Sequence, residues 1–237
     1  MRKRKVAYHK GMDPRRSRIF DGLTETERRQ WLEAARRREV RRNEPVARQG
    51  EPAQAFVLVE SGFLKLLQLA PDGRELIVRF VGAGEPFGGV VVLDAAAYPV
   101  TALAVEPTRL LVWPLDVLRT LLDRFPQVRL NITREIAAHM TDALTRVREL
   151  ATERVSQRLA HTLLRLMRQA GTPGPDGVLI AHPLTRQELA DLTGTTLYTV
   201  SRTLSRWQAQ GVLQSTRRQL LVRMPQRLEA LSRAADD

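Results

Sequence analysis

The sequence predicts an α+β chain, with a strand-rich first half and a helix-rich second half. Three observations carry this. Short apolar runs alternate with turn residues from Asn43 to Trp113. Apolar residues keep helical spacing from Leu115 onward. Near the C-terminus, two helical segments are followed by two short apolar runs. The first region contains the runs Phe56–Val59, Phe63–Leu69, Leu76–Val81, Val90–Leu93, Thr101–Val105 and Leu110–Trp113. Between them stand Gly50, Ser61-Gly62, Pro71-Asp72-Gly73, Gly82-Ala83-Gly84 and Glu106-Pro107. Several short strands with regular turn signals read as a β-sandwich or barrel, and Asp72-Gly73 is a hairpin signal.

Upstream of the strands, Thr24 and Glu27 have the spacing of a capping box, with Trp31, Leu32 and Ala35 on the helix it opens. Residues 1–18 are basic and poor in large apolar groups, and are expected to be a disordered tail. Downstream, Pro114 closes the strand region and Pro126 can open a long helix running to about Leu150. Its stripe holds Val128, Ile132, Ile136, Met140, Ala143, Val147 and Leu150, and His139 lies on the same helix. Such a seam predicts a helix-to-helix dimer interface made by Ile132, Ile136, His139, Met140, Ala143, Val147 and Leu150. Packing of the helix on its own domain stays open. A further helix through Val155, Leu159, Leu163 and Leu166 ends at Gly171, and Gly171–Gly177 reads as a Pro/Gly loop.

Composition narrows the function. Apolar residues make up 43% of the 237-residue chain and charged residues 27%, as in globular proteins. No apolar run reaches the roughly 18 residues that span a bilayer, and no apolar stretch follows the basic start, so a cytoplasmic chain is expected. With no cysteine, disulfides, thiolate metal sites and cysteine-ligated clusters are excluded. The four histidines lack metal-site spacing, and no nucleophile elbow or phosphate loop is present, so neither an enzyme nor a cofactor is expected. The net charge of +12 is uneven. Residues 1–42 hold 15 Lys and Arg against 6 Asp and Glu, residues 43–150 hold 11 against 13, and residues 151–237 hold 12 against 7. Basic ends around a neutral middle point to a polyanion partner. Only four basic residues are lysine, however, and an arginine-rich composition alone gives part of this pattern.

The segment Leu184–Gly211 is the most specific. Thr185 and Glu188 form a capping box opening a short helix, Ala190 is small enough for a close crossing, and Gly194 falls where the turn between two helices favours it. Val200 follows six residues later, with Leu204 and Trp207 on the same side within about 60°. Tyr198, Ser201, Arg202 and Ser205 lie opposite. This is the spacing of a helix-turn-helix, whose second helix enters the major groove of double-stranded DNA. Arg202 can bond guanine O6 and N7 together, Ser201 and Ser205 can exchange single bonds with bases, and Tyr198 can touch a thymine methyl or a phosphate. Thr185, Arg186, Thr195 and Thr196, near helix N-termini, are candidates for phosphate contact. After Gly211, Val212–Ser215 and Gln219–Val222 read as a β-wing, with Arg217 and Arg218 at its tip facing the DNA backbone.

In this order the segments resemble the Crp/Fnr family of bacterial transcription regulators. The resemblance covers about residues 19–235. Its specific part is the C-terminal motif, and Arg48-Gln49-Gly50-Glu51, Ser61-Gly62 and Gly84-Glu85-Pro86-Phe87-Gly88 resemble the family's turns. It implies a β-roll sensor of jelly-roll (double-stranded β-helix) type over 19–125, a dimerisation helix over 126–151 and a winged helix-turn-helix over 152–237. It also implies a homodimer on a two-fold symmetric site, a possible small-molecule effector, and an activator role through RNA polymerase contact at Gly171–Gly177.

The departures concern the effector. Gly89 stands where cyclic-AMP-binding members carry a glutamate for the ribose, and Tyr98 and Pro99 stand near their Arg-Ser pair. No arginine occurs between Arg79 and Arg109, and Ala143 and Leu144 replace the Thr-Ser pair that reads adenine. A cyclic phosphate buried without a cation is unfavourable, so cyclic-AMP sensing of the usual kind is not expected. The lack of cysteine removes the iron–sulfur route. The candidate effector pocket is Gly88, Gly89, Tyr98, Thr101, Ala143 and Leu144. At the reading helix, Tyr198 replaces the usual glutamate, whereas Ser201-Arg202 resembles the Fnr-type reader. Two alternatives remain open: a cyclic-nucleotide- or haem-dependent regulator of this fold, and a small-molecule-binding module without DNA function.

Overall fold

Thr24 starts a helix as its pattern predicts. Its hydroxyl accepts from the Glu27 amide, the Glu27 carboxylate accepts from the Thr24 amide, and α1 (Glu25–Glu33) follows. The computed structural model describes residues 13–71, 73, 75–93, 96–180, 184–216 and 219–233, and the chain divides into two compact units, Met1–Thr141 and Asp142–Asp237. Residues 13–18 of the expected disordered tail are structured, and residues 1–12 lie outside the described residues. Pro14–Arg16 forms a 3-10 turn capped by Asp13, and the buried Ser17 hydroxyl donates to Gly84 O at 2.7 Å.

In the first unit, β1 (Arg36–Val40), β2 (Pro45–Ala47), β3 (Ala55–Ser61), β4 (Leu64–Leu69), β5 (Glu75–Val81), β6 (Pro86–Phe87), β7 (Thr101–Ala104) and β8 (Thr108–Pro114) form two antiparallel sheets. Their orders are β1-β8-β3-β6 and β2-β7-β4-β5. Leu58, Leu110 and Trp113 from the first sheet and Leu64 and Ala102 from the second are wholly buried in one core. Trp31 closes that core. Its ring packs edge-on to Trp113 with centroids 5.9 Å apart, and the Trp113 indole N–H donates to Trp31 O at 2.9 Å.

Two strand assignments change. Val90–Leu93 is not a strand but part of a 3-10 helix, Gly89–Leu93, whose Val91 and Val92 are buried. A run of four branched apolar residues satisfies a buried turn as well as a strand. Conversely, β1 carries Arg36-Arg37-Arg38 and shows no apolar alternation. It is an edge strand, held by backbone pairing to β8.

Two helices follow, α2 (Leu115–Arg124) and α3 (Pro126–Thr152). The start of α3 is fixed inside the first unit: the Asn131 side chain donates to Ile19 O at 3.0 Å and to Asp21 O at 2.8 Å. Ile132 and Ile136, expected in a dimer seam, therefore face inward. Ile132 is wholly buried in the core and Ile136 packs against it.

The second unit adds α4 (Val155–Ala170), β9 (Gly171–Gly174), β10 (Gly177–Ile180), α5 (Arg186–Thr193), α6 (Leu197–Ala209), β11 (Leu213–Ser215), β12 (Leu220–Val222) and α7 (Pro225–Arg233). The segment read as a loop, Gly171–Gly177, is a hairpin edge of the sheet β11-β12-β10-β9. The unit begins within α3 rather than at its end. One reason is charge: Glu149, 4% exposed, meets the Arg165 guanidinium on α4 at 2.7 and 3.0 Å.

Candidate nucleic-acid interface and ligand cavity

The helix-turn-helix is α5, its turn and α6. Thr185 caps α5 reciprocally with Glu188, donating its amide to the carboxylate at 2.9 Å and accepting the Glu188 amide at 3.1 Å. Its hydroxyl also donates to that carboxylate at 3.1 Å, so the cap occupies the Thr185 polar groups expected at phosphate. Gly194 ends α5 with φ +58°, and a Cβ there would come within 2.9 Å of Leu150 Cδ2. The left-handed backbone favours glycine here, whereas the Leu150 side-chain end could move aside. The Arg158 guanidinium on α4 binds this turn, donating to Thr193 O at 2.9 Å and also to Glu153 O at 3.0 Å. Thr196 then caps α6, its hydroxyl accepting the Thr199 amide at 3.2 Å.

The faces of α6 fall as the spacing predicts. Val200, Leu204 and Trp207 are buried, whereas Tyr198, Arg202 and Ser205 are exposed and Ser201 is half-buried. The Arg202 guanidinium lies 5.8 Å from the Tyr198 ring centroid, a cation–π contact that restrains a long side chain. Arg186 and Thr196 are exposed at the starts of α5 and α6, and Thr195 is half-buried in the turn, its amide donating to Ala190 O at 3.0 Å. The wing strands β11 and β12 form, closed by the Thr216 amide donating to Gln219 O at 2.9 Å, while Arg217 and Arg218 lie outside the described residues. Sequence reasoning missed Leu197. It opens α6 and is 47% exposed, although helical arithmetic places it beside the buried Leu204. Exposed apolar side chains also line the second half of α3: Met140, Leu144 and Val147 are each more than 60% exposed, Leu150 is 50% exposed, and Ala143 is exposed with them.

The first unit contains a cavity of about 210 Å³ between the Pro86–Val90 turn, Tyr98–Val100 and the α3 face Ile132–His139. Gly88 and Gly89 line it as expected. Gly88 has φ +83°, and a Cβ on Gly89 would meet Ile136 at 3.2 Å, so α3 rests close against this turn. Tyr98 also lines it, stacked on Phe87 at 5.5 Å, but its hydroxyl is committed to the backbone. It donates to Ala55 O at 2.9 Å and accepts from Ala55 N at 3.1 Å. Burial pushes this phenol above its usual pKa, so it remains a donor.

Three other expected pocket residues are displaced. Thr101 is not in the wall, its hydroxyl accepting instead from the Gln49 amide at 3.0 Å, and Ala143 and Leu144 are exposed on α3. The wall instead includes Arg79, Glu135 and His139. Arg79 lies 3.5 Å from the Glu85 carboxylate and donates to Phe80 O at 3.1 Å, and His139 lies 4.0 Å from Glu135. Arg79 was hidden in the sequence because only the sheet brings it to this turn. Among the described residues no acid or histidine cluster could hold a metal ion, and no helix is long and apolar enough to cross a membrane.

Comparison with known proteins agrees with this architecture. Residues 37–125 match the family model of the cyclic nucleotide-binding domain, and residues 157–231 match that of the Crp-like helix-turn-helix domain. The cyclic AMP receptor protein of Thermus thermophilus is 32% identical over 195 residues, covering 82% of this chain and 87% of that one. The transcriptional activator protein FnrA of Stutzerimonas stutzeri is 28% identical over 180 residues, covering 76% and 73%. Among solved structures, FixK2 from Bradyrhizobium japonicum superposes with a TM-score of 0.76 at 28% identity, covering 85% of this chain and 99% of that one. With a sensor-type β-roll, a Crp-like helix-turn-helix and these relatives, the chain belongs to the Crp/Fnr family of DNA-binding transcription regulators, which are not enzymes.

Proposed function

We propose that the protein is a homodimeric regulator that reads a two-fold symmetric operator with α6 and acts as an activator without the family's usual cyclic-AMP dependence. The observation that carries the reading is the α6 surface, a helix buried on one side and presenting Arg202, Tyr198, Ser201 and Ser205 on the other. Arg202 is the guanine reader. Its replacement by alanine is expected to cost about 1–3 kcal/mol in specific binding and to relax one base position in each half-site. Competition binding against operators varied at each position tests this, and an unchanged preference would overturn the role of Arg202.

The dimer is supported by the exposed stripe Met140, Ala143, Leu144, Val147 and Leu150, a run of apolar groups that a second copy of the helix would cover. The exposed hairpin of β9 and β10 supports a contact with RNA polymerase, because Thr172–Asp176 contribute nothing to the core. The names of relatives favour cyclic AMP as effector, but the chemistry of the cavity wall favours another ligand. Arg79 is already balanced by Glu85, the Tyr98 hydroxyl is spent on Ala55, and Gly89 offers the ribose no carboxylate. Calorimetry with cyclic AMP, and operator binding with and without it, separates the two. This reading expects no heat and no change in affinity.

A further inference from the structure

We infer that the first unit carries a second DNA surface, the arginine row of β1 and the turn after it, which binds the phosphate backbone of duplex outside the operator. The inference rests on the operator-reading role proposed for α6. Residues 36–42 read Arg-Arg-Arg-Glu-Val-Arg-Arg, and all five arginines are exposed. Little in the fold balances them. Arg36 and Arg42 form no ion pair among the described residues, and Arg37, its side chain 80% exposed, reaches Glu60 only at 4.0 Å. Arg38 meets Glu44 at 3.3 Å, and the same carboxylate accepts from the Arg41 amide. The one acid within the row, Glu39, stands across from Arg109 in the register of β1 and β8. Charge on an edge strand deters pairing with another chain, but five cations in seven residues also repel one another, and an anion relieves that repulsion.

The basic surface continues past β1. Arg15 and Arg29 line one groove with Arg37, so the segment that starts at Asp13 adjoins the row. Residues 1–12, which lead into Asp13, add five Lys and Arg and no acid. Three of the four lysines of the chain fall in that stretch, so its charge is not a by-product of an arginine-rich composition. The chemistry favours DNA over an acidic protein. Protein partners bury apolar groups at the centre of their interface, and among the described residues no large apolar side chain is exposed between Asp13 and Gln68. A phosphate backbone asks only for charge and N–H donors, which guanidinium groups supply. A bound operator also brings its flanking duplex to the same molecule at high local concentration.

Duplex length provides the test. Two duplexes carry the same operator recovered by selection from random DNA, one ending at its edges and one extended by about two helical turns on each side. The full-length wild type is expected to bind the longer duplex about tenfold more tightly at low salt, with a salt dependence steeper by roughly 0.9 for each added phosphate contact. The triple variant Arg36→Gln, Arg37→Gln, Arg42→Gln is expected to lose most of that gain. It should still bind the short duplex as wild type does, which also shows that it folds. The triple variant Arg36→Lys, Arg37→Lys, Arg42→Lys should keep the gain, because the backbone is read by charge. No gain with length in the wild type, an equal gain in the glutamine variant, or an equal loss on both duplexes overturns the surface while leaving the regulator reading in place. A glutamine variant that binds both duplexes as wild type does, but no longer activates transcription by RNA polymerase, assigns the row to an acidic protein and overturns the DNA reading. Failure of the wild type to select any operator overturns both.

Discussion

Replacing Leu144 with glutamate is expected to separate the dimer and to lower operator affinity by about 10²–10⁴-fold. Leu144 is 65% exposed at the middle of the α3 stripe, with Met140 one turn before it and Val147 about one turn after. In a dimer a carboxylate there would be buried without a cation and would face its own copy across the two-fold axis. The chain itself would fold as before, because Leu144 covers no core in the single chain. The large effect on DNA arises because two linked half-site readers gain affinity from linkage that a monomer forfeits. Sedimentation gives the mass and a gel shift the affinity. A dimeric variant with wild-type affinity would show that the stripe is not the interface.

Glu149→Ala is expected to destabilise the second unit by about 3–5 kcal/mol. The carboxylate lies 2.7 Å from the Arg165 guanidinium, whose other arm donates to Thr162 Oγ1 at 3.2 Å. Both side chains are largely buried, at 4% and 16% exposure, so removing Glu149 leaves the Arg165 guanidinium largely buried without its counter-ion. Hydrogen exchange of the α4 and α6 amides measures the loss. The double variant Glu149→Leu, Arg165→Met should recover most of it, since an apolar pair carries no desolvation cost. A loss below about 1 kcal/mol in the single variant would place the pair among weak surface bridges.

The parts of this molecule that were legible in the sequence are those whose signal is local. The Thr185–Glu188 cap, the glycine at 194 and the burial of Val200, Leu204 and Trp207 follow from spacing alone, because one helix and one turn decide them. Features decided by distant pairing were not legible. The strand Arg36–Val40 exists because β8 pairs with it, and Arg79 reaches the cavity because β5 lies in a sheet beside it. The stripe on α3 was visible, but a period of 3.6 residues cannot say what covers it. Ile132 and Ile136 proved to serve their own core, while Met140, Leu144 and Val147 are exposed. The Gly/Pro segment 171–177 illustrates a third case, in which breakers in sequence form the edge hairpin of a sheet.

Selection of bound fragments from random duplex DNA by the purified protein, with no ligand added, tests the central claim most directly. A two-fold symmetric motif with a guanine in each half-site, lost from that position in Arg202→Ala, is the predicted result. A single unpaired half-site would contradict the dimer, and enrichment of no motif, with or without added cyclic nucleotide, would contradict sequence reading by α6.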